Sequence, residues 1–297
     1  MSSERFLVTG ALGCIGAWTV ATLVREGAGV VAFDLGTDDR RLRLTASPEE
    51  IERVAFVRGD LTDLAVVERA LAEHEITHIV HLAALQVPFC KADPVLGSRV
   101  NVTGTVNVFE AAKRCGLGTT IAYASSAAVY DERGEVAPRT LYGVYKVANE
   151  GTATVYARED GVASVGLRPF SVYGPGRDQG LTAGPTLAIE AAVRGEPYRV
   201  AFGGRTQFHY APDVARAFVQ AARSEPAGAE TFNLGGPATA MPELVATIEA
   251  AVPGAEISFD DVPLPFPDEL PQPWFDSLLT PLDEGVRETV EVFRSVV

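Results

Sequence analysis

The chain has 297 residues, 47% of them hydrophobic and 22% charged, with a formal net charge of −14 at pH 7. This balance collapses into a core rather than staying disordered, and the length suits two domains or one large α/β unit with a lobe. The acidic excess argues against nucleic acid and anionic membrane surfaces as partners, since both need basic patches, and no apolar run approaches the ~20 residues of a membrane span.

The chain runs almost directly into the strand-like Phe6-Leu7-Val8 with no signal-peptide core ahead of it, so the expected location is the cytoplasm. Cys14, Cys90 and Cys115 are odd in number and widely spaced, with no CxxC or Cys/His pairing. Neither a disulfide framework nor a metal site is expected.

Short apolar runs at 5–9, 29–33, 55–58, 78–82, 119–124 and 163–168 read as strands. Segments with apolar residues at three-to-four spacing follow them, among them 15–27, 64–75, 100–115 and 144–159. Repeated βα units predict a parallel sheet with helices on both faces. After Gly174-Pro175-Gly176 the rhythm breaks, and proline and glycine crowd into 180–185 and 262–273. Pro263, Pro265, Pro267, Pro271 and Pro273 exclude a helix or central strand from the second, which reads as a loop or lid over a site.

The first strand runs into Thr9-Gly10-Ala11-Leu12-Gly13-Cys14-Ile15-Gly16. Glycines at 10, 13 and 16 form a GxxGxxG variant of the dinucleotide turn, in which bare backbone approaches a pyrophosphate at a helix N-terminus, with Cys14 and Ile15 beside it. Asp34 ends the next strand, where a carboxylate accepts both ribose hydroxyls and repels a 2′-phosphate, so NAD is expected rather than NADP. Arg40, Arg41 and Arg43 follow and read as solvated loop charges. Cys14 reads as a small packed residue.

Ser125-Ser126 follows the strand ending at Ala124, and Tyr142 and Lys146 are four apart at the start of a helix. On a helix they share one face with Cβ atoms about 6 Å apart. A phenol of pKa about 10 is a poor base, but an ammonium beside it and a positive nicotinamide ring above it favour the phenolate. Ser126 then hydrogen-bonds the reacting oxygen. YxxxK alone is common on amphipathic helices; it gains weight by falling in order with the glycine turn and Asp34. Tyr145, adjacent to Lys146, points elsewhere and reads as structural.

These residues belong to a longer set: TGALGCIG (9–16), GDLTD (59–63), HLAAL (81–85), NVTGTVNVFEAA (101–112), SSAAVY (125–130), YGVYK (142–146), LRPFSVYGPG (167–176), FNLGG (232–236) and LDEGVRET (282–289). With them the chain resembles the extended short-chain dehydrogenase/reductase family, also called the NAD-dependent epimerase/dehydratase family. The resemblance implies a Rossmann-type, doubly wound parallel sheet with a smaller C-terminal substrate-binding lobe. Residues 1–172 would be the NAD-binding domain, with about 205–236 returning to it, and 173–297 mainly the lobe. The implied roles are pyrophosphate for Gly10, Gly13 and Gly16, ribose for Asp34, adenine edge for Asp60 and Leu61, and the nicotinamide side for Ala83. Lys146 would also hold the nicotinamide ribose, Pro169 and Ser171 would flank the ring, and Asn101 would stand on a helix behind the site. His81 reads as a packed strand residue.

Departures from the family narrow the chemistry. Family dehydratases carry an Asp-Glu pair where this chain has Ala127-Ala128, so dehydration is disfavoured. Many nucleotide-sugar epimerases grip the diphosphate with an Arg seven residues before the Asp of a DVxxA helix; registering on Asp213 puts Thr206 there, with Arg205 one residue off. A one-residue slip on a strand points to the opposite face. Arg177 is the candidate for an anion contact instead, and the lobe is short, which suits a compact substrate.

The leading expectation is an NAD-dependent oxidoreductase acting on a secondary hydroxyl of a sugar, sugar acid or polyol, with Tyr142 as base, Ser126 orienting the hydroxyl and Lys146 tuning Tyr142. The alternative is an NAD-retaining sugar or nucleotide-sugar epimerase. A third reading, of another class, is a non-catalytic NAD sensor or interaction protein, although Tyr142 and Lys146 are both kept. The resemblance also implies a homodimer through 100–115 and 144–159, with Val147 and Val155 opposite the catalytic side.

Overall fold

Phe6 and Val8 point to one side of the first strand and Leu7 to the other, and all three are fully buried. A strand covered on both faces belongs at the centre of a parallel sheet. The computed structural model describes residues 4–296, so residues 1–3 and 297 of the expected units lie outside it. The first half runs β1 (Arg5–Thr9), α1 (Cys14–Arg25), β2 (Gly29–Asp34), α2 (Arg40–Thr45), the single turn α3 (Pro48–Ile51), β3 (Val54–Arg58), α4 (Leu64–Glu73) and β4 (His78–His81). Short α5 (Val87–Ala92) and α6 (Pro94–Ser98) lead through a π-helical turn, Arg99–Thr103, into α7 (Gly104–Arg114), followed by β5 (Ile121–Ala124), α8 (Leu141–Asp160) and β6 (Ser164–Arg168). The second half runs β7 (Ser171–Tyr173), α9 (Gly184–Arg194), β8 (Tyr198–Val200), β9 (Arg205–Tyr210), α10 (Ala211–Ala222), β10 (Ala229–Leu234), β11 (Ala238–Ala240), α11 (Met241–Ala251), β12 (Ile257–Phe259), β13 (Trp274–Phe275) and α12 (Leu282–Val296).

Eight strands form one sheet in the order β13-β10-β6-β5-β4-β1-β2-β3, every pairing parallel. This is the Rossmann-type, doubly wound sheet, and its strand order reverses between β1 and β4, where such sheets open a crevice at their carboxyl ends. One face packs on α1 and α10, through Val20, Leu23, Val214 and Phe218. The other packs on α4 and α7, through Val67, Leu71, Val108 and Phe109. A separate core joins α9, α11 and α12 to Phe170, Tyr173 and Tyr210. Two small sheets, β11-β9-β7 and β12-β8, complete the second half.

Two details differ from the sequence reading. Arg40, Arg41 and Arg43 lie on helix α2 rather than in a loop. Val147 packs against the second core beside Tyr142, so of the two valines proposed for a surface seam only Val155 is exposed. The segment 262–273 is irregular, as its prolines require, apart from a bridge between Gly203 and Pro263.

Candidate active site

The turn after β1 is shaped by close approach. Gly10 has φ +66°, and a Cβ there would stand 2.7 Å from the backbone of Ala83; one on Gly16 would stand 2.1 Å from the Gly10 carbonyl oxygen. Side chains are therefore barred at both positions, which brings the β1 turn against the end of β4. Gly13 caps α1 with extended backbone and no side-chain cap, leaving the first amides of the helix open to an anion. These residues line a cleft of about 560 Å³ at the carboxyl ends of the strands, on the β1/β4 switch point.

Gly10, Gly13, Cys14, Ile15, Gly16, Asp34, Asp60, Leu61, Ala83, Pro169, Ser126, Tyr142, Lys146 and Arg177 all line this one cleft. Ser171 does not: it is fully buried in β7, its hydroxyl 3.0 Å from that of Thr206 on β9. Strand alternation explains the difference, since its neighbours Phe170 and Val172 are the ones that reach the cleft. Its expected place flanking the ring is thus corrected. Thr206 is buried, whereas Arg205 is exposed and donates to the Ala238 carbonyl. Neither puts a cation in the cleft.

The adenosine half suits a cofactor with a free ribose. The Asp34 carboxylate is held by the amides of Leu12 at 3.0 Å and Gly36 at 2.9 Å, which fixes it at the cleft wall. Arg41 and Arg40 are paired with Asp178 at 2.6 and 2.9 Å, and Arg43 with Asp39 at 2.9 Å. Each of these guanidiniums already has a carboxylate partner, and a 2′-phosphate would meet Asp34. The geometry fits NAD. Asp60 spends one oxygen on Thr62. Burial pushes the Cys14 thiol up to about 11, which keeps it an inert wall residue.

Across the cleft, α8 begins at Thr140, whose hydroxyl accepts from the Gly143 amide, and this sets Tyr142 and Lys146 on the inward face. Lys146 is buried, donates to the Ala124 carbonyl at 2.6 Å, and has its Nζ 5.3 Å from the Tyr142 ring centroid. Burial pulls the Lys146 ammonium down to about 8. Burial also pushes the Tyr142 phenol up, while the Ser126 hydroxyl and the Arg177 charge pull it back. The protein's own residues thus leave this phenol above its ordinary value, so the phenolate expected from the sequence needs the further positive charge of a bound cofactor. Ser126 itself accepts from the Ala128 amide at 3.1 Å.

Two arrangements were not foreseen. Glu150, one turn beyond Lys146, accepts from the Ser125 hydroxyl at 2.5 Å and takes a bidentate pair from Arg168 at 2.7 and 2.6 Å. Arg168 also donates to the Tyr130 hydroxyl, which exchanges hydrogen bonds with Asn233. This network ties the end of β5 to α8, and nothing in the spacing of Glu150 and Arg168 along the chain signals it. The second arrangement is a strap at 174–178. Trp18 donates to the Pro175 carbonyl at 2.9 Å, and Asp178 reaches Arg40 and Arg41 on α2, closing the cleft rim above the start of α1.

His81 is enclosed between the hydroxyls of Thr9 at 2.7 Å and Thr105 at 3.0 Å, and burial drives it down to about 3. It is a packed strand residue without the basicity to act. Asn101 braces the loop after β4 by exchanging hydrogen bonds with Leu85, and Tyr145 bonds the Pro94 carbonyl. Among the described residues no group of three or more His, Cys, Asp or Glu side chains is placed to hold a metal.

The lysine carries a pH prediction. If cationic Lys146 is needed, turnover falls as pH rises through about 8. The stability effect has the opposite sign: the unfolded chain holds this proton more tightly, so between about 8 and the ordinary lysine range folding gains stability with pH. A flat pH–rate profile from 7 to 9.5 rejects the role, and Lys146→Met should remove both trends.

A family model for the NAD dependent epimerase/dehydratase family matches residues 6–235. A UDP-glucose 4-epimerase of Mycolicibacterium smegmatis is 32% identical over 98% of this chain and 99% of its own length. A solved UDP-glucose 4-epimerase of Thermus thermophilus, in complex with NAD, superposes with a TM-score of 0.79 at 30% identity, covering 99% of this chain and 100% of that one. An L-threonine dehydrogenase of Clostridium difficile superposes at 0.85 with 22% identity, over 100% of this chain and 99% of its own, a likeness of fold.

Proposed function

The chain belongs to the NAD-dependent epimerase/dehydratase family and is an NAD-dependent enzyme of it, and from that premise we propose that it inverts a secondary alcohol of a sugar or sugar derivative while retaining its cofactor. The observation that supports this reading is the strap, which the Asp178 ion pairs and the Trp18–Pro175 hydrogen bond hold at the rim of the cleft beside the glycine turn. Retention is what an enzyme needs that returns hydride to the carbon it came from. The 32% identical relative, a UDP-glucose 4-epimerase, supports the same reading.

Bound NAD supplies the hydride acceptor and, when oxidised, a positive ring. Tyr142 takes the alcohol proton as the hydride leaves the carbon, and holds it while the carbonyl turns its other face. It then returns the proton to the same oxygen. Ser126 holds that oxygen, and Lys146, fixed on the Ala124 carbonyl, stabilises the negative phenolate. Residues 173–297 contribute Arg177, Thr182 and Phe266 to the substrate side, with Phe170 and Val172 just ahead of them, and α10 and β10 rejoin the first domain.

The competing reading is a dehydrogenase that exchanges NAD each turnover on a sugar acid or polyol, favoured by the missing cation at Thr206. Mass and absorbance of what the purified protein releases on denaturation separates them. The expected result is near-stoichiometric NAD; an empty protein that binds NAD only on addition supports the dehydrogenase.

Homodimerisation is part of the proposal. Leu141, Val144 and Val155 are exposed on one face of α8, an apolar stripe fit for a helical seam. A monomer in sedimentation at micromolar concentration rejects it. Cytoplasmic residence is proposed on the three unpaired cysteines. Among the described residues no helix is long and apolar enough to cross a membrane.

A further inference from the structure

We infer that Arg177 recognises anionic oxygens on the substrate, and that the substrate of the proposed reaction is a sugar acid whose carboxylate lies near the reacting hydroxyl. The inference rests on that reading of the site and names its substrate class.

Among the described residues no carboxylate pairs with the Arg177 guanidinium. The carboxylate next to it in the chain, Asp178, is turned away and engaged by Arg40 and Arg41. Its own contacts are neutral and long: Nη1 to Gln86 Oε1 at 3.5 Å and Nη2 to Thr182 Oγ1 at 3.3 Å. Its Nε is buried with no partner. A polar group buried in this way is costly until a partner arrives, and for a guanidinium the natural partner is a planar carboxylate or a phosphate.

Gln86 and Thr182, the hydrogen-bond partners of Arg177, hold that charge on the cleft wall that Tyr142 shares. Arg41, Lys146 and Arg177 are the cations lining the cleft among the described residues, and the first two are already bonded. Apart from Asp178, the acids lining the cleft among the described residues are Asp34 at the end of β2, Asp38 after it and Asp60 after β3, on the far side of β1 from Tyr142. The substrate half is otherwise neutral, with Ala127, Ala128, Phe170, Val172 and Phe266 on its walls. The Arg177 charge favours the ionised forms of both the Tyr142 phenol and the Cys14 thiol, so it stands between the reacting group and the glycine turn. Gly180 makes the arrangement possible: a Cβ there would stand 2.1 Å from Gln86 Oε1 and 3.1 Å from Arg177 Nη2. Carboxylate is favoured over diphosphate because, among the described residues, Arg177 has no second cation beside it in this half: Arg205 is exposed and donates to the Ala238 carbonyl, and Thr206 is buried against Ser171.

Calorimetry on the NAD-loaded protein tests this with pairs that differ only in oxidation of one CH2OH to carboxylate. The probes are D-galactose against D-galacturonate and UDP-glucose against UDP-glucuronate, with UDP alone as the diphosphate arm. The acid of at least one pair should bind roughly ten- to a hundred-fold more tightly than its neutral partner, the range of a charge-assisted hydrogen bond. Arg177→Gln should erase that preference while leaving affinity for the neutral probe and for NAD in place, and Arg177→Lys should restore part of it. No acid preference in the wild type, or one that survives Arg177→Gln, overturns the inference. So does an Arg177→Gln protein weakened toward UDP or NAD instead, which would assign the guanidinium to a diphosphate. Because the readout is binding, an Arg177-dependent acid preference without any epimerisation would sink the proposed reaction and leave this assignment standing.

Discussion

Replacing Tyr142 by Phe lowers turnover by roughly 10²- to 10⁴-fold, the usual worth of a positioned acid–base group, while the fold and NAD affinity stay nearly as they were. The ring is kept, so its packing beside Val147 on the second core survives. What is lost is the cleft hydroxyl beside the Lys146 ammonium, 5.3 Å from its ring, whose ionisation the Ser126 hydroxyl and the Arg177 charge favour. The measurement is single-turnover reduction of bound NAD by substrate together with an NAD titration. Turnover within a few-fold of the wild type removes Tyr142 from the chemistry, and a parallel loss of NAD affinity makes its role one of binding.

The second large effect is expected away from the reacting atoms. Glu150→Ala leaves Arg168 buried without its carboxylate, both side chains being only 13% exposed in the native pair. Breaking such a pair costs about 3–5 kcal/mol, which for a chain of this size lowers the melting temperature on the order of 10 °C. Activity should fall as well, because Ser125 loses its acceptor and the tie between the end of β5 and α8 slackens. Thermal unfolding of Glu150→Ala, Arg168→Ala and the double variant is the check. The double variant should be less damaged than the sum of the singles, since it leaves no lone buried charge. Strict additivity would mean that the two do not act as a pair.

What the sequence made legible was local. The glycine turn, Asp34 at the end of β2 and the four-residue spacing of Tyr142 and Lys146 each need only one strand end or one helix turn to be placed, and all reach the same cleft. The alternation that buries Thr206 and exposes Arg205 was readable once that segment was taken as a strand. Ser171 was misplaced because its direction depends on where β7 begins, and a single residue decides which face it takes. The Arg41–Asp178 and Glu150–Arg168 pairs were hidden for another reason. Charges far apart in the chain carry no pattern that joins them until the sheet has been wound, and an arginine beside others looks solvated in a sequence whether or not a carboxylate waits for it.

The pairing of α1 with α10 bears on how the chain is made. The first helix buries Val20 and Leu23 against Val214 and Phe218, which are synthesised long after the sixth strand is complete. At the usual ~5–20 residues per second, the ribosome releases α10 roughly 3–10 s behind β6. For those seconds the part of that face along β4, β5 and β6 that α10 covers stands open beside α1, and the nascent protein presents the kind of apolar surface that chaperones hold. Its last helix on that flank is therefore a late arrival on which solubility during synthesis depends.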